Sequence, residues 1–155
     1  MEMDTLDFVE EMTIDDFRGI VRYSLGVCSL GLFIERHGLP ASERELAFRE
    51  RVKPHIVDVR EQAEWPGTRL FDSTATVVYF ALNSEVSEIL SSVDESTFDW
   101  RWPNMPEDLC LLRKDESVWF GSISHERDAW LSTTPSEKTD LLASSQPWLR
   151  LLRER

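Results

Sequence analysis

The sequence predicts an α+β fold, in which an antiparallel sheet of about four strands packs against a long N-terminal helix and several shorter helices. Three observations lead to this prediction. Apolar residues recur at helical spacing from Ile14 to about Arg36, four later apolar segments bounded by polar residues have the length of strands, and capping motifs mark further helix starts. The 155 residues are the size of one ordinary domain. We therefore expect a single domain over residues 1–155.

Residues 1–12 are expected to form a loosely ordered acidic lead-in. Residues 1–16 contain seven acids and no base, which is typical of a solvated segment and would also suit an acidic recognition arm. A helix is predicted to start at Thr13, because its hydroxyl can cap free amides and acids follow it at the positive end of the helix dipole. Two apolar stripes from Ile14 to about Arg36 predict that this helix is long and largely buried.

The rest of the chain alternates shorter helices with strands. Capping boxes at Ser42 and Thr134, and a Ser-Glu pair at Ser84, predict three helix starts. The first of these helices keeps an apolar face past Pro54, where it either kinks or restarts. The four strands are predicted near residues 75–82, 108–113, 118–124 and 128–132.

The second and third strands are expected to pair with each other across a polar loop. The register that places Leu111 opposite Phe120 also places Leu112 opposite Trp119. Alternation then puts four residues on each face, with Cys110, Leu112, Trp119 and Ile123 on one and Leu109, Leu111, Val118 and Phe120 on the other. Because both sets are apolar, we expect both faces to be covered.

Composition excludes several classes of function. The net charge of −12 argues against nucleic-acid binding, which depends on Lys and Arg neutralising phosphates, and it favours a basic protein partner.

The longest uncharged run, Tyr23 to Ile34, is far below the ~20 residues of a membrane-spanning helix, so no membrane partner is expected. Cys28 and Cys110 are too few for a disulfide framework and no secretory leader is recognisable, which predicts a cytoplasmic setting. No cofactor fingerprint occurs.

The candidate binding site lies at one end of the expected strand pair, where Glu107, Asp108, His125 and Glu126 are polar. Asp108 and His125 are expected to be neighbours on the same face, an arrangement that could orient a base but is more often structural. A Cys110–His125 dyad is excluded, because the register separates the two residues by roughly 13 Å at ~3.3 Å per residue. The spacing of potential ligands matches no metal site, so neither a metal ligand nor a catalytic residue is predicted.

Three tryptophans complete the candidate binding residues. Trp65, Trp100 and Trp102 lie close to prolines in irregular segments. Exposed aromatic side chains on loops can anchor a partner, since protein interfaces are enriched in Trp. The alternative is that they cover the end of the sheet as hydrophobic lids. Trp119 and Trp130, by contrast, are expected in the core because they lie in strands.

Several motifs resemble a family of small, acidic, uncharacterised bacterial proteins. The resemblance is carried by Trp65-Pro-Gly-Thr68, Trp102-Pro103, Pro106-Glu-Asp-Leu-Cys110 and Ser122-Ile-Ser-His-Glu126. Some members carry sporulation-type labels, and in size and acidity they are similar to immunity proteins of bacterial toxin systems. The resemblance covers roughly Trp65 to Leu131 and implies no catalytic residues.

These observations favour a non-enzymatic binding protein, an immunity-type inhibitor that presents an acidic surface to a basic protein such as a nuclease toxin. Opposite charge would speed the encounter of the two proteins. One alternative is a small enzyme or ligand-binding domain that uses Asp108, His125 and Glu126. Another is a housekeeping or sporulation-associated dimer subunit, and the sequence leaves open whether the chain is a monomer or a homodimer.

Overall fold

A computed structural model of the chain describes residues 2–155, apart from the side chain of Thr97. Residue 1, the first of the expected lead-in, lies outside this range. The strands are β1 (Asp4–Phe8), β2 (Leu30–Glu35), β3 (Ile56–Gln62), β4 (Glu64–Trp65), β5 (Thr68–Arg69), β6 (Ala75–Ala81), β7 (Glu107–Leu112), β8 (Val118–Ile123), β9 (Asp128–Thr133) and β10 (Leu152–Glu154). The α-helices are α1 (Ile14–Ser24), α2 (Glu43–Val52), α3 (Ser84–Ser91) and α4 (Pro135–Leu142). Short 3₁₀ helices span Lys53–His55, Thr97–Asp99, Ser124–Glu126 and Pro147–Leu151.

The architecture is α+β. Eight strands form one antiparallel sheet in the order β10-β1-β9-β8-β7-β2-β6-β3, and β4 and β5 form a separate hairpin. Helices α1, α2 and α3 contribute side chains to the main core on one face of the sheet. Among residues 2–155, every helix is too short or too polar to cross a bilayer.

The predicted fold is wrong about the long N-terminal helix. Helix α1 ends at Ser24, and Leu30–Glu35 forms β2 in the interior of the sheet. Every residue from 31 to 34 is buried, and an apolar run buried on both faces satisfies a helical stripe as well as a strand. Gly31 marks a close approach rather than a weak helix position, because a Cβ there would lie 2.2 Å from Cζ of Phe80.

The predicted number of strands is also wrong, since the main sheet has eight strands instead of about four. The four predicted strands are present as β6 to β9, whereas the others were missed. Asp4–Phe8, inside the expected acidic lead-in, forms β1 and buries Leu6 and Phe8. The helix expected to pass Pro54 ends at Val52, and the residues after the 3₁₀ turn at Pro54 form β3 at the edge of the sheet.

A β-bulge alters the predicted faces of β7 and β8. Leu111 lies opposite Phe120, but Leu112 lies opposite Val118, so the register shifts at Trp119. Trp119 is an extra residue of β8 between the pairs Leu111–Phe120 and Leu112–Val118, as in a β-bulge. Trp119 therefore packs in the main core with Leu111, while Val118 packs on the Leu112 side.

The second face of the sheet is covered by a smaller core. Its buried members are Leu32, Ile34, Trp65, Ala75, Val77, Tyr79, Cys110 and Leu112. The β4–β5 hairpin lies over this face, because Trp65 belongs to the cluster and a Cβ on Gly67 would lie 2.8 Å from Trp130 and 2.9 Å from Ile123. Burial of a large apolar side chain contributes about 1.5 to 3 kcal/mol, so both layers stabilise the sheet.

Candidate functional site

The antiparallel order brings several strand ends to the same edge of the sheet. β2 ends where β7 begins, since Ile34 pairs with Glu107, and β8 ends where β9 begins, since Ile123 pairs with Asp128. The β4–β5 hairpin lies over the same end. We call the group formed here by Arg36, Glu107, Asp108, Ser124 and His125 the polar corner.

Asp108 is the centre of the polar corner. Its side chain is fully buried, and its Oδ1 accepts the Ser124 backbone N–H at 2.8 Å while its Oδ2 accepts the Trp65 Nε1–H at 2.9 Å. Its own backbone N–H donates to Ser124 Oγ at 3.1 Å. Its φ of 55° is left-handed, a conformation in which Asp and Asn are enriched. Asp108 therefore joins β7, the turn after β8 and the hairpin.

Arg36 supplies positive charge to the polar corner, although its position gave no sign of this in the sequence. Arg36 Nε donates to Glu107 Oε1 at 3.2 Å, and its Nη2 lies 4.0 Å from Asp108 Oδ2. Its guanidinium stands over the Trp65 ring, 5.0 Å from the centroid. The second oxygen of Glu107 accepts the Trp102 backbone N–H at 3.0 Å. The sequence hints at this position only through the apolar run that ends at Ile34, two residues before Arg36.

The three candidate tryptophans lie in different environments. Trp65 is buried in the network around Asp108. Trp102 is half-buried, and its Nε1–H donates to the Leu39 carbonyl at 2.9 Å. Trp100 is fully buried in the main core, with its ring 5.2 Å from that of Phe48. Trp100 thus presents no surface to a partner, and only Trp102 remains partly accessible beside the polar corner.

Glu107, Asp108 and His125 bring potential metal ligands together, with one atom of each within 4.8 Å of the others. The carboxylate oxygens, however, already accept hydrogen bonds from Arg36, Trp102, Ser124 and Trp65. The guanidinium also supplies the positive charge that a cation would bring. The chemistry of this donor set therefore fits an internal ion-pair network better than a cation site.

The exposed part of the polar corner is His125 with the neighbouring Glu126. Their side chains are 45% and 59% exposed, and His125 Nε2 lies 3.9 Å from Glu126 Oε1. This distance is too long for a hydrogen bond. His125 and Glu126 are thus available to a partner. Asp108 holds the turn that carries them, and Glu107 binds Arg36 and the Trp102 backbone.

Replacing His125 by Ala is expected to change the free energy of unfolding by no more than about 0.5 kcal/mol, because a side chain that is 45% exposed contributes little to stability. Denaturant unfolding measures this. Ser124→Ala is the matched control, since its hydroxyl accepts the buried N–H of Asp108, and we expect it to lose about 1 to 3 kcal/mol. A loss of that size for His125→Ala would place His125 inside the buried network.

The two cysteines do not supply a nucleophile. Burial raises the pKa of Cys110 to about 12, and its thiol donates to the Asp108 carbonyl at 3.4 Å. Burial likewise raises the pKa of Cys28 to about 12. Because the thiolate is the reactive form, both thiols are inert near neutral pH.

A group of acids borders the polar corner on the β9 side. We call Glu10, Glu11, Asp99 and Glu126, which lie around Arg127, the acidic rim. Arg127 Nη2 donates to Glu11 Oε2 at 2.6 Å, and Arg127 Nη1 lies 3.7 Å from Asp99 Oδ1. A groove of about 250 Å³ runs between Glu10, Glu11, Phe98 and Arg127. Two carboxylates, those of Glu11 and Asp99, thus pair with the Arg127 guanidinium at an exposed surface.

The motifs that carry the family resemblance meet in space at the polar corner. Trp65 binds Asp108, the Trp102 backbone binds Glu107, and Ser124 binds Asp108 from the 3₁₀ turn that follows β8. Their shared position accounts for the motifs as one structural unit. No protein family, curated protein or solved structure matches the chain, so the family resemblance stays a prediction.

Proposed function

We propose that the chain is a non-enzymatic binding protein, of the immunity type, that presents the acidic rim to a basic protein. The observation that carries this proposal is the composition of the rim, in which Glu10, Glu11, Asp99 and Glu126 are exposed and Arg127 pairs with only two of them, Glu11 and Asp99. Such a surface attracts Lys and Arg side chains and steers a basic partner into position.

The groove gives the acidic rim a recessed surface in addition to its negative charge. Phe98 and Arg127 line the groove, with the guanidinium 5.3 Å from the Phe98 ring centroid. The rim is joined to the sheet through the 3₁₀ turn at Ser124–Glu126, which Asp108 holds. A surface fixed in this way loses little conformational entropy on binding, which favours affinity.

An enzymatic function has less support. A general base must reach the proton that it removes, whereas the Asp108 carboxylate is buried and both its oxygens accept hydrogen bonds. The Ser122 hydroxyl donates to the Leu109 carbonyl at 2.7 Å, inside the sheet. The accessible groups that remain, His125 and Glu126, are suited to contacts with a partner.

The experiment compares proteins captured from the host lysate by the immobilised wild type and by two charge variants. Glu10→Lys with Glu126→Lys reverses charge on the rim, and Glu50→Lys with Glu88→Lys makes the same change on α2 and α3. We expect a basic protein, identified by mass spectrometry, to bind the wild type and the α2/α3 variant and to be lost with the rim variant.

Salt provides a second criterion. Binding of the captured protein, once purified, is expected to weaken between roughly 50 and 500 mM salt, mainly through a slower association rate, because screening removes the attraction of exposed charges. A captured protein that is acidic, or that binds the rim variant as tightly as the wild type, would contradict the proposal.

A further inference from the structure

The edge strand β3 presents an unpaired side to solvent. β3 pairs only with β6 and ends the order of the eight-stranded sheet, so within residues 2–155 no strand covers its outer side. Val57 and Val59 are 58% and 48% exposed. Open backbone groups together with exposed valines form a surface on which another strand can add.

The hydrogen bond of the Val59 backbone N–H shows which side of β3 the backbone groups of Val59 face. Val59 lies opposite Val78 of β6, yet its backbone N–H donates to the Asp58 carboxylate at 2.9 Å. In an antiparallel ladder, alternate residues direct both backbone groups to the same neighbouring strand. The Val59 N–H and C=O therefore face the open side. The Asp58 carboxylate caps the N–H there, so Asp58 must turn away from Val59 before an incoming strand forms a hydrogen-bonded pair with it.

The charges of β3 match those of a second β3 strand. When two copies run antiparallel about an axis at Val59, each Asp58 lies opposite Arg60 of the second copy, and each Val57 lies opposite Glu61 of the second copy. Opposite charges directly across a strand pair are stabilising and like charges are destabilising. In the single chain Arg60 Nε donates to Asp58 Oδ2 at 2.7 Å and Arg60 Nη1 donates to Glu116 Oε1 at 3.0 Å. Pairing therefore exchanges one internal Asp58–Arg60 pair in each copy for two such pairs between copies, so the charges set the register of the contact.

We propose that the outer edge of β3 binds a second copy of the chain, with the two strands antiparallel about a twofold axis at Val59. The two eight-stranded sheets then become one continuous sheet. A second copy fits better than an unrelated strand, because the Asp58 and Arg60 pattern is complementary to itself and a twofold contact uses the same patch on both partners. This surface is separate from the acidic rim, so the homodimer and a basic partner do not compete for it.

Sedimentation velocity on the full chain tests the proposal over roughly 1 µM to 1 mM protein. We expect a dimer at the upper end of this range. Val59→Lys places like charges opposite each other at the axis and should weaken association by about tenfold or more. Val57→Lys is the matched control, since its new charge lies opposite Glu61 and should leave the dimer intact.

Charge exchange gives a test that is independent of any effect on folding. Asp58→Arg alone and Arg60→Asp alone place like charges opposite each other and should reduce association, whereas the double variant restores it. Circular dichroism confirms that each variant is folded. A wild type that stays monomeric throughout, a Val59→Lys variant that stays dimeric, or a double variant no better than the single ones would each overturn the proposal.

Discussion

Replacing Asp108 by Ala is expected to lower the free energy of unfolding by about 3 to 5 kcal/mol, the size of effect seen when one partner of a buried charged network is removed. The substitution leaves the Trp65 indole N–H and the Ser124 backbone N–H buried without their acceptors. It also places Ala at a φ of 55°, where its Cβ is disfavoured. For a chain of this length each kcal/mol corresponds to about 2 to 4 °C in Tm.

Asp108→Asn separates the loss of hydrogen-bond acceptors from the strain of placing Ala in a left-handed backbone conformation. Asn tolerates the left-handed backbone and keeps one acceptor, but its amide would face one of the two N–H donors. We therefore expect a smaller loss than for Ala, measured by urea denaturation. Glu126→Gln, at an exposed carboxylate of the same end of the sheet, is the control and should change stability little. An Asp108→Ala protein within about 1 kcal/mol of the wild type would show that the polar corner does not support the fold.

Glu45→Gln is expected to flatten the dependence of stability on pH between about pH 4.5 and 8. Glu45 on α2 is 1% exposed, and its burial, together with the hydrogen bond to Glu35 and the charge of Glu35, raises its pKa to about 8, while Arg49 opposes the shift. An acid whose pKa is raised on folding stabilises the fold only while it is protonated. That contribution is complete below the ordinary pKa of 4.5 and is lost as the pH rises through about 8.

The measurement is the free energy of unfolding of both proteins between roughly pH 5 and 9. Within the window between the two pKa values, the native state holds one proton more than the unfolded state, so the wild type should lose up to about 1.4 kcal/mol per pH unit relative to Glu45→Gln. The Gln amide can donate to Glu35 as the protonated carboxyl does. Glu43→Gln, exposed on the same helix, should behave as the wild type. If the free energies of unfolding of wild type and Glu45→Gln changed in parallel with pH, the raised pKa of Glu45 would be contradicted.

Sequence patterns located the strands from β6 onward better than the first half of the chain. β6, β8 and β9 contain β-branched and aromatic residues, and β7 is a short apolar run beside a polar loop, so local preference and final structure agree. β2 has apolar residues at every position from Leu32 to Ile34, and such a run carries no period that separates strand from helix. β3 is exposed over most of its length, so no buried face marks it as a strand.

The polar corner could be anticipated only in part. Pairing β7 with β8 places Asp108 near His125, because both residues lie at the same end of one hairpin. Arg36 and Trp65 come from distant segments, 71 and 43 positions from the acids that they bind, and no local rule relates them. Their positions follow from the order of strands in the sheet, which a single sequence does not specify.

The location of β1 affects how the protein is made. β1 lies between β9 and β10, and its Asp7 is bonded to Arg155, 148 positions further along the chain. During synthesis β1 leaves the ribosome long before either neighbouring strand exists, and pairings at such separation form slowly. Until then its apolar side chains Leu6 and Phe8 stay uncovered, and the acids around them keep the waiting segment from associating with other chains.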